Sequence, residues 1–292
     1  MKNVWFVTGA ARGFGAEIAK AALGAGHRVI ATGRNADAVA EALGSADELL
    51  VERLDVTHPE EAVRAVRSGL DRYGRIDVLV NNAGYGQLGV FEETSLEDIR
   101  AEYETNLFGL MNVTRAVLPS MRTQRSGRIM NLSSVAGIKG MFAASIYCSS
   151  KFAVEGFSEA LAAEVEPFGI KVISIAPGYF RTDFLDTRSV KYADQGIADY
   201  APRLAEYRKF HADKNHAQPG DPAKLAQVML TLSEIADPPA TFIAGSDAVQ
   251  WADEVYEHRQ REVDTWRALS ESTDGIWGPR APKTSRRKAR RA

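Results

Sequence analysis

The chain has 292 residues, 45% of them hydrophobic, and its 36 Lys and Arg nearly balance 38 Asp and Glu, for a formal net charge of -2. That length can bury a large core in one α/β domain, while the near-neutral balance supplies no global field to attract nucleic acid or an anionic membrane. The single cysteine, Cys148, excludes an internal disulfide framework and any multi-cysteine metal site, and the five histidines show no metal-ligand spacing, so no metal is expected.

Seven short apolar, β-branched runs follow one another in chain order: NVWFVTG, HRVIATG, ELLVERLDV, RIDVLVNNAG, GRIMNLSS, GIKVISIAPG and ATFIAGSD. Between them, stretches such as AEIAKAALGAG, PEEAVRAVRSGLDRYG and SLEDIRAEYETNLFGLMNVTRAVLPSM repeat their apolar residues at helical spacing. Continuous apolar strands separated by helices predict a parallel sheet covered on both faces, an α/β doubly wound fold. Residues 182–218 break the rhythm with polar and aromatic residues and no strand, which predicts an insertion over one edge. From about residue 270 the chain turns to GPRAPKTSRRKARRA, rich in Pro, Arg and Lys, which reads as a disordered tail. The expected layout is one domain over 1–270, a lid at about 182–218, and a tail over 271–292. The basic SRRKARR end could touch nucleic acid, but no aromatic residue interleaves its charges, and a solvated end is the simpler reading. The N-terminal apolar run is too short for a signal peptide and no run approaches the ~20 apolar residues of a membrane span, so the chain reads as soluble and cytoplasmic.

Directly after the first run comes TGAARGFGAEIAK, which places Gly9, Gly13 and Gly15 at a turn into a helix. Glycines let the backbone approach a ligand closely, and the unpaired N–H groups of a helix start attract a phosphate, so a dinucleotide pyrophosphate is the expected occupant. The spacing differs from G-x-G-x-x-G, so the inference rests on mechanism, against the alternative of a turn that only packs helix on strand. At the end of the second run, VIATGRNADAV puts Gly33 where an acid would hold the ribose hydroxyls of NAD, with Arg34 beside it and Arg12 in the glycine loop. Two guanidiniums suit a 2′-phosphate, which favours NADP over NAD; a solvated Arg34, with Asp37 nearby, is the competing reading. Further on, YCSSKFAVEGFSEAL carries Tyr147 and Lys151 four residues apart, on one face of a helix that starts near Tyr147. A neighbouring ammonium favours phenolate, so the pair is expected to pull the phenol below its usual ~10 towards values useful for proton transfer. An ordinary amphipathic helix gives the same spacing, and the pair gains meaning only with a cofactor site.

Together these residues resemble the short-chain dehydrogenase/reductase family in its single-domain form. The likeness runs from Lys2 to about Ala248 through TGAARGFG, LDV at Leu54 to Val56, NNAG at Asn81 to Gly84, Asn106 in YETNLFG, NLSSVAG, YCSSK and PGYFRTD. Around the YCSSK helix and the FIAGSDAVQWADE end it is most similar to the NADP-preferring branch that includes 17β-hydroxysteroid and retinol dehydrogenases. The resemblance implies a Rossmann sheet in the order 3-2-1-4-5-6-7, an active site at the carboxyl ends of the strands, and hydride transfer between NADP(H) and a small ketone, aldehyde or secondary alcohol.

By the same resemblance Tyr147 would be the acid/base, and Lys151 would lower its pKa and hold the nicotinamide ribose. Ser134 would hydrogen-bond the carbonyl oxygen, with Ser133 the neighbouring candidate that family spacing disfavours. Asn106 would bind a water linking Lys151 to solvent, or else be bonded within its helix. Cofactor contacts would come from Gly9, Arg12, Gly13, Phe14, Gly15 and Arg34, from Asp55 and Val56 at the adenine, and from Asn81, Ala83 and Gly84 along the ribose. Pro177, Gly178 and Thr182 would meet the nicotinamide end with Tyr147 and Lys151. Asn81 could instead tie neighbouring strands together, and Cys148 reads as packing. Specificity would lie in the insertion, and a homodimer or homotetramer would form through the helices after Leu96 and Ser149. A non-catalytic NADP-binding sensor or scaffold is the alternative, although such a protein could dispense with Tyr147 and Lys151.

Overall fold

Val4, Trp5, Phe6 and Val7 are all fully buried, and they alternate: Trp5 and Val7 join one apolar cluster, Val4 and Phe6 another. Period-two side chains that are apolar on both sides force cover on both faces of the sheet. The computed structural model describes residues 2–186, 189–193 and 196–275. The chain divides into two units, Met1–Ala252 and Asp253–Ala292. Most of the tail expected from residue 271 lies outside the described residues, and the described part of the second unit is a helix and its terminal turn.

In chain order the elements are β1 Val4–Val7, α1 Gly13–Gly24, β2 Arg28–Gly33, α2 Ala36–Leu43, β3 Leu49–Arg53, α3 Pro59–Tyr73, β4 Val78–Asn81 and β5 Gly86–Leu88. There follow α4 Leu96–Tyr103, α5 Gly109–Gln124, β6 Gly127–Leu132, α6 Ser145–Val165, β7 Ile170–Pro177, β8 Val190–Tyr192, α7 Ala201–Lys214, α8 Pro222–Glu234, β9 Thr241–Ala244 and α9 Ser246–Glu271. Seven strands form one parallel sheet in the order β3-β2-β1-β4-β6-β7-β9. With β5 and β8 set aside, this is the expected 3-2-1-4-5-6-7.

Of those two short strands, β8 is a correction to the sequence reading, which expected no strand between 182 and 218. β8 pairs in parallel with β5, Val190 opposite Gly86 and Tyr192 opposite Leu88. Three residues are too few to register as a periodic signal, and their partner lies about a hundred residues away, so only tertiary pairing makes them a strand.

On one face of the sheet Ile18, Ala19 and Ala22 of α1 pack with Leu225, Ala226, Met229 and Leu232 of α8. On the other, Ala62 and Val66 of α3, Val113, Val117 and Met121 of α5, and Leu161 and Val165 of α6 close the core. Each large apolar side chain fully buried there contributes about 1.5–3 kcal/mol. Between α4 and α5 the helix widens into one π turn, Glu104–Phe108, a local expansion that swings Asn106 out of ordinary helical register. Among the described residues no helix is long and apolar enough to cross a membrane.

Candidate active site

The first wall of the site is backbone. Gly9 and Gly13 take positive φ, 67° and 53°, values that other residues adopt only with strain. A Cβ on Gly15 would lie 2.3 Å from the Gly9 carbonyl oxygen and 2.5 Å from Asn82 Nδ2, so only glycine fits where α1 enters the loop. The residue before α1, Arg12, makes no side-chain cap, so the first N–H groups of the helix are left for a ligand. Asn82 Nδ2 donates to the carbonyls of Thr8 (2.9 Å) and Gly9 (3.1 Å), and Thr8 Oγ1 accepts from the N–H groups of Asn82 and Ala83. The loop is thereby tied to the end of β4 before any ligand arrives.

The second wall carries the titratable groups. α6 starts at Ser145, so Tyr147 and Lys151 share a face as expected, and only 8% and 7% of their surfaces are exposed. Lys151 Nζ donates to the Leu132 carbonyl at 2.8 Å and lies 5.9 Å from the centre of the Tyr147 ring. The Ser134 side chain stands by the Tyr147 hydroxyl, near enough to favour its phenolate. Ser134 Oγ also accepts from the Ala136 N–H at 3.1 Å, whereas Ser133 Oγ donates to the Lys151 carbonyl at 3.4 Å. Of the two serines, Ser134 is the one turned to the phenol.

Burial opposes charge on each of these groups. It pushes the Tyr147 phenol above its ordinary value, and the neighbouring Ser134 hydroxyl pulls the other way without reversing the shift. The expectation of a lowered phenol is therefore corrected: desolvation disfavours the phenolate. Lys151 is brought down to about 8 by burial, against the attraction of Glu102 and Glu155.

Asn106 stands behind this wall. Its Oδ1 accepts from the Tyr85 N–H at 3.0 Å, and its Nδ2 donates to the Tyr85 carbonyl at 2.8 Å, to Glu102 Oε1 at 3.1 Å and to Ser150 Oγ at 3.2 Å. Its side chain is thus committed to protein partners rather than to the cleft, close to the helix-bonded alternative. Asn81 likewise turns away, its Nδ2 donating to Thr114 Oγ1 and Asn131 Oδ1, each at 2.9 Å. It ties β4 to β6, as the structural alternative held, and its neighbour Asn82 faces the ligand side, because successive strand residues point opposite ways.

The remaining expected residues meet in one cleft of about 750 Å³. Gly9, Arg12, Gly13 and Phe14 line it from the loop and the start of α1, Arg34, Asp55 and Val56 from the segments after β2 and β3, and Ala83 and Gly84 from the segment after β4. Ser134, Tyr147, Lys151, Pro177, Gly178 and Thr182 complete that lining. Gly15, Asn81 and Asn106 support it without facing it. Arg12 reaches Ser189 Oγ at 2.9 Å, a contact across to the lid segment. Asp55 feels the charge of Arg34; burial would raise its carboxyl, but Thr57, His58 and Arg34 together hold it low. The far part of the cleft is apolar and aromatic: Leu88, Met141, Phe184, Leu185, Tyr207 and Phe210. Phe184 sits 5.5 Å from Tyr147, ring centre to ring centre. Cys148 is buried beside it in a packing cluster. Asp183, Asp186 and His216 bring ligand atoms within 4.8 Å of one another, with Asp186 already engaged by Asn215 Nδ2 at 2.7 Å.

Known proteins resemble this chain in sequence and fold. Residues 3–193 match the family described as short chain dehydrogenase. The chain belongs to that family. It is 36% identical over 272 residues to the oxidoreductase BOA17 of Botryotinia fuckeliana, covering 92% of this chain and 98% of that one. It is 39% identical over 237 residues to a 3-ketodihydrosphingosine reductase of Bacteroides thetaiotaomicron, covering 81% and 86%. A solved short-chain dehydrogenase from Streptomyces avermitilis superposes with a TM-score of 0.87 at 38% identity, covering 94% of this chain and all of that one.

Within this short-chain dehydrogenase, sequence reasoning missed Asn82, Glu102 and Ser150. Strand alternation tells only that Asn81 and Asn82 face opposite ways, not which of them meets the cleft. Glu102 sits four residues before Asn106, a helical-neighbour spacing, but nothing in the sequence says that this carboxylate is buried.

Proposed function

We propose that the chain is an NADP-preferring oxidoreductase that interconverts an apolar ketone or aldehyde and its alcohol. The observation that carries this reading is that Ser134, Tyr147 and Lys151 line one cleft with the glycine loop, Tyr147 and Lys151 on one face of α6. The residues fit the cofactor. The positive-φ glycines and uncapped start of α1 suit its pyrophosphate, Asp55 and Val56 its adenine, Arg34 and Arg12 its 2′-phosphate. Lys151 is placed for the nicotinamide ribose and Thr182 for the carboxamide. When bound, the nicotinamide supplies the hydride in reduction and accepts it in oxidation.

The chain's own groups handle the proton. Tyr147, kept protonated by burial, gives its proton to the carbonyl oxygen in reduction and takes one from the hydroxyl in oxidation. Ser134 donates a hydrogen bond to the same oxygen as negative charge develops there. Lys151, held near 8, keeps most of its positive charge at neutral pH and stabilises the phenolate left behind.

The aromatic and aliphatic lid wall favours an apolar substrate, in keeping with a place in the 17β-hydroxysteroid and retinol dehydrogenase-like branch. The name of the Bacteroides relative, a ketone reductase, supports the same chemistry. Phe108 and Phe152, near the start of α5 and on α6, are 46% and 36% exposed, and we read them as part of a homodimer or homotetramer surface, which light scattering at micromolar concentration tests. The deciding experiment is a panel of steroid, retinoid, aliphatic and aromatic carbonyl compounds with NADPH and NADH. Turnover that prefers NADPH supports the reading. A protein that binds the cofactor but oxidises neither form across the panel overturns it.

A further inference from the structure

We propose that Glu102 is a positioning residue of this site: a fully buried carboxylate that fixes Asn106 and Ser150 and supplies the counter-charge keeping Lys151 protonated. The inference deepens the proposed function and rests on its assignment of Lys151 to the reacting group.

Glu102 lies in the last turn of α4, just before the π turn, and has no exposed surface. Its Oε2 accepts from the Gln87 N–H at 2.7 Å, and its Oε1 accepts from Asn106 Nδ2 and from Ser150 Oγ, each at 3.1 Å. Three donors from β5, the π turn and α6 converge on one acid. An ionised carboxylate in a dry interior costs several kcal/mol unless it is hydrogen-bonded and paired, so three donors and a nearby cation are what its retention requires. The cation is Lys151. Ser150 directly precedes it, and a Cβ placed on Gly84 would lie 2.9 Å from Asn106 Oδ1 and 3.8 Å from Lys151 Nζ, so amide and ammonium share one small volume. Asn106, gripped by Glu102 at one end and by Tyr85 at the other, cannot rotate without breaking several bonds at once.

The other titratable groups that act here are Tyr85 in the segment after β4, Asp98 on α4, and Tyr147, Cys148 and Glu155 on α6. Arg34 acts on Tyr85 and Lys191 Nζ lies 5.1 Å from the centre of its ring, while Lys151 is the cation that acts on Glu102. Burial raises Glu102 to about 7, and its hydrogen bonds and Lys151 oppose that rise; burial lowers Lys151 to about 8, and Glu102 is the leading opposing charge. Each group favours the ionised form of the other, and acidification through about 7 removes the carboxylate from the pair.

The test is Glu102→Gln, which keeps the shape and an acceptor for Gln87 but removes the charge. Without the carboxylate Lys151 loses its proton more readily. The alkaline limb of kcat for ketone reduction should therefore move to lower pH by about one unit, the low end of what a nearby opposite charge contributes. NADPH affinity, titrated by fluorescence across the same pH range, should show its alkaline limb displaced in the same direction, and Lys151→Met should lack that limb. A variant with uniformly lower kcat and an unmoved limb would make Glu102 merely structural and overturn the proposal. If the parent reduces no carbonyl compound, the oxidoreductase reading fails by itself, and the binding limb still decides: displaced in Glu102→Gln it upholds the coupling, unmoved it removes it. Should Glu102→Gln not fold, Ser150→Ala withdraws one donor from the carboxylate and should displace both limbs the same way by a smaller amount, with no displacement counting against the proposal.

Discussion

Around Gly9, Gly13 and Gly15 the wall of the cleft is backbone, shaped by positive φ angles and by a contact that leaves no room for a Cβ. Around Phe184, Leu185, Tyr207 and Phe210 the wall is side chain, carried on a 3-10 turn and α7 that no strand of the main sheet supports. The comparison teaches a division of labour. A pyrophosphate looks the same in every cofactor, so its receptor can be rigid main chain at the carboxyl ends of parallel strands. A substrate is recognised by size and apolar shape, which side chains on an attached segment can vary without disturbing the sheet. Tyr147, Ser134 and Lys151 stand where the two meet.

The largest expected effect breaks the meeting point. Tyr147→Phe removes one oxygen and preserves the ring's packing, so kcat should fall by at least ~10²-fold while NADPH affinity stays near the parent's. Retention of most activity would place the acid elsewhere. Next comes the backbone wall: Gly15→Ala drives a methyl to within 2.3 Å of the Gly9 carbonyl, which should weaken NADPH by tenfold or more and lower Tm. A parent-like Kd in a fluorescence titration would show that the loop has room to yield. Arg34→Asp should then swing the ratio of NADPH to NADH affinity by about tenfold towards NADH, the equivalent of about 1.4 kcal/mol. An unchanged ratio would mean that Arg34 is solvated and the 2′-phosphate is held by other groups.

On the side-chain wall, Phe184→Ala should raise KM for an apolar ketone several-fold and leave the cofactor Kd alone. A change in both would show that the two walls are not independent. The smallest effect concerns stability. The Glu102 carboxyl is raised from 4.5 to about 7 on folding, so between these values the folded chain holds a proton that the unfolded chain has lost. Its contribution is fully present below about 4.5 and is lost as pH rises to about 7, and urea melts at several pH values should show a shallower decline in Glu102→Gln. The difference in slope should be under about 1.4 kcal/mol per pH unit, and equal slopes would mean that another group titrates there.

Much of the site was legible because it lies in short local motifs. The loop from Gly9 to Gly15 and the Tyr147 and Lys151 spacing needed only the periods of strand and helix and the chemistry of phosphate and phenol, whereas Thr182 came from the family resemblance. What was misread or missed involves orientation and burial. Asn81 and Asn82 are chemically identical, and which of them faces the cleft depends on the register of β4 with β6. β8 exists only because Gly86–Leu88 lies beside it.

Hydrophobic period in the sequence marked the seven strands, and the resemblance carried by its motifs implied their doubly wound order, the family and the candidate reacting side chains. The tertiary structure decided the charges. Whether Tyr147 is raised or lowered, whether Lys151 keeps its proton at neutral pH, and whether Glu102 is a surface acid or the buried partner of that lysine all depend on how much water the fold removes from each group. Desolvation is set by residues distant in sequence that close over a side chain, and so the same Tyr, Lys and Glu have ordinary pKa values in the unfolded chain and different ones in this cleft.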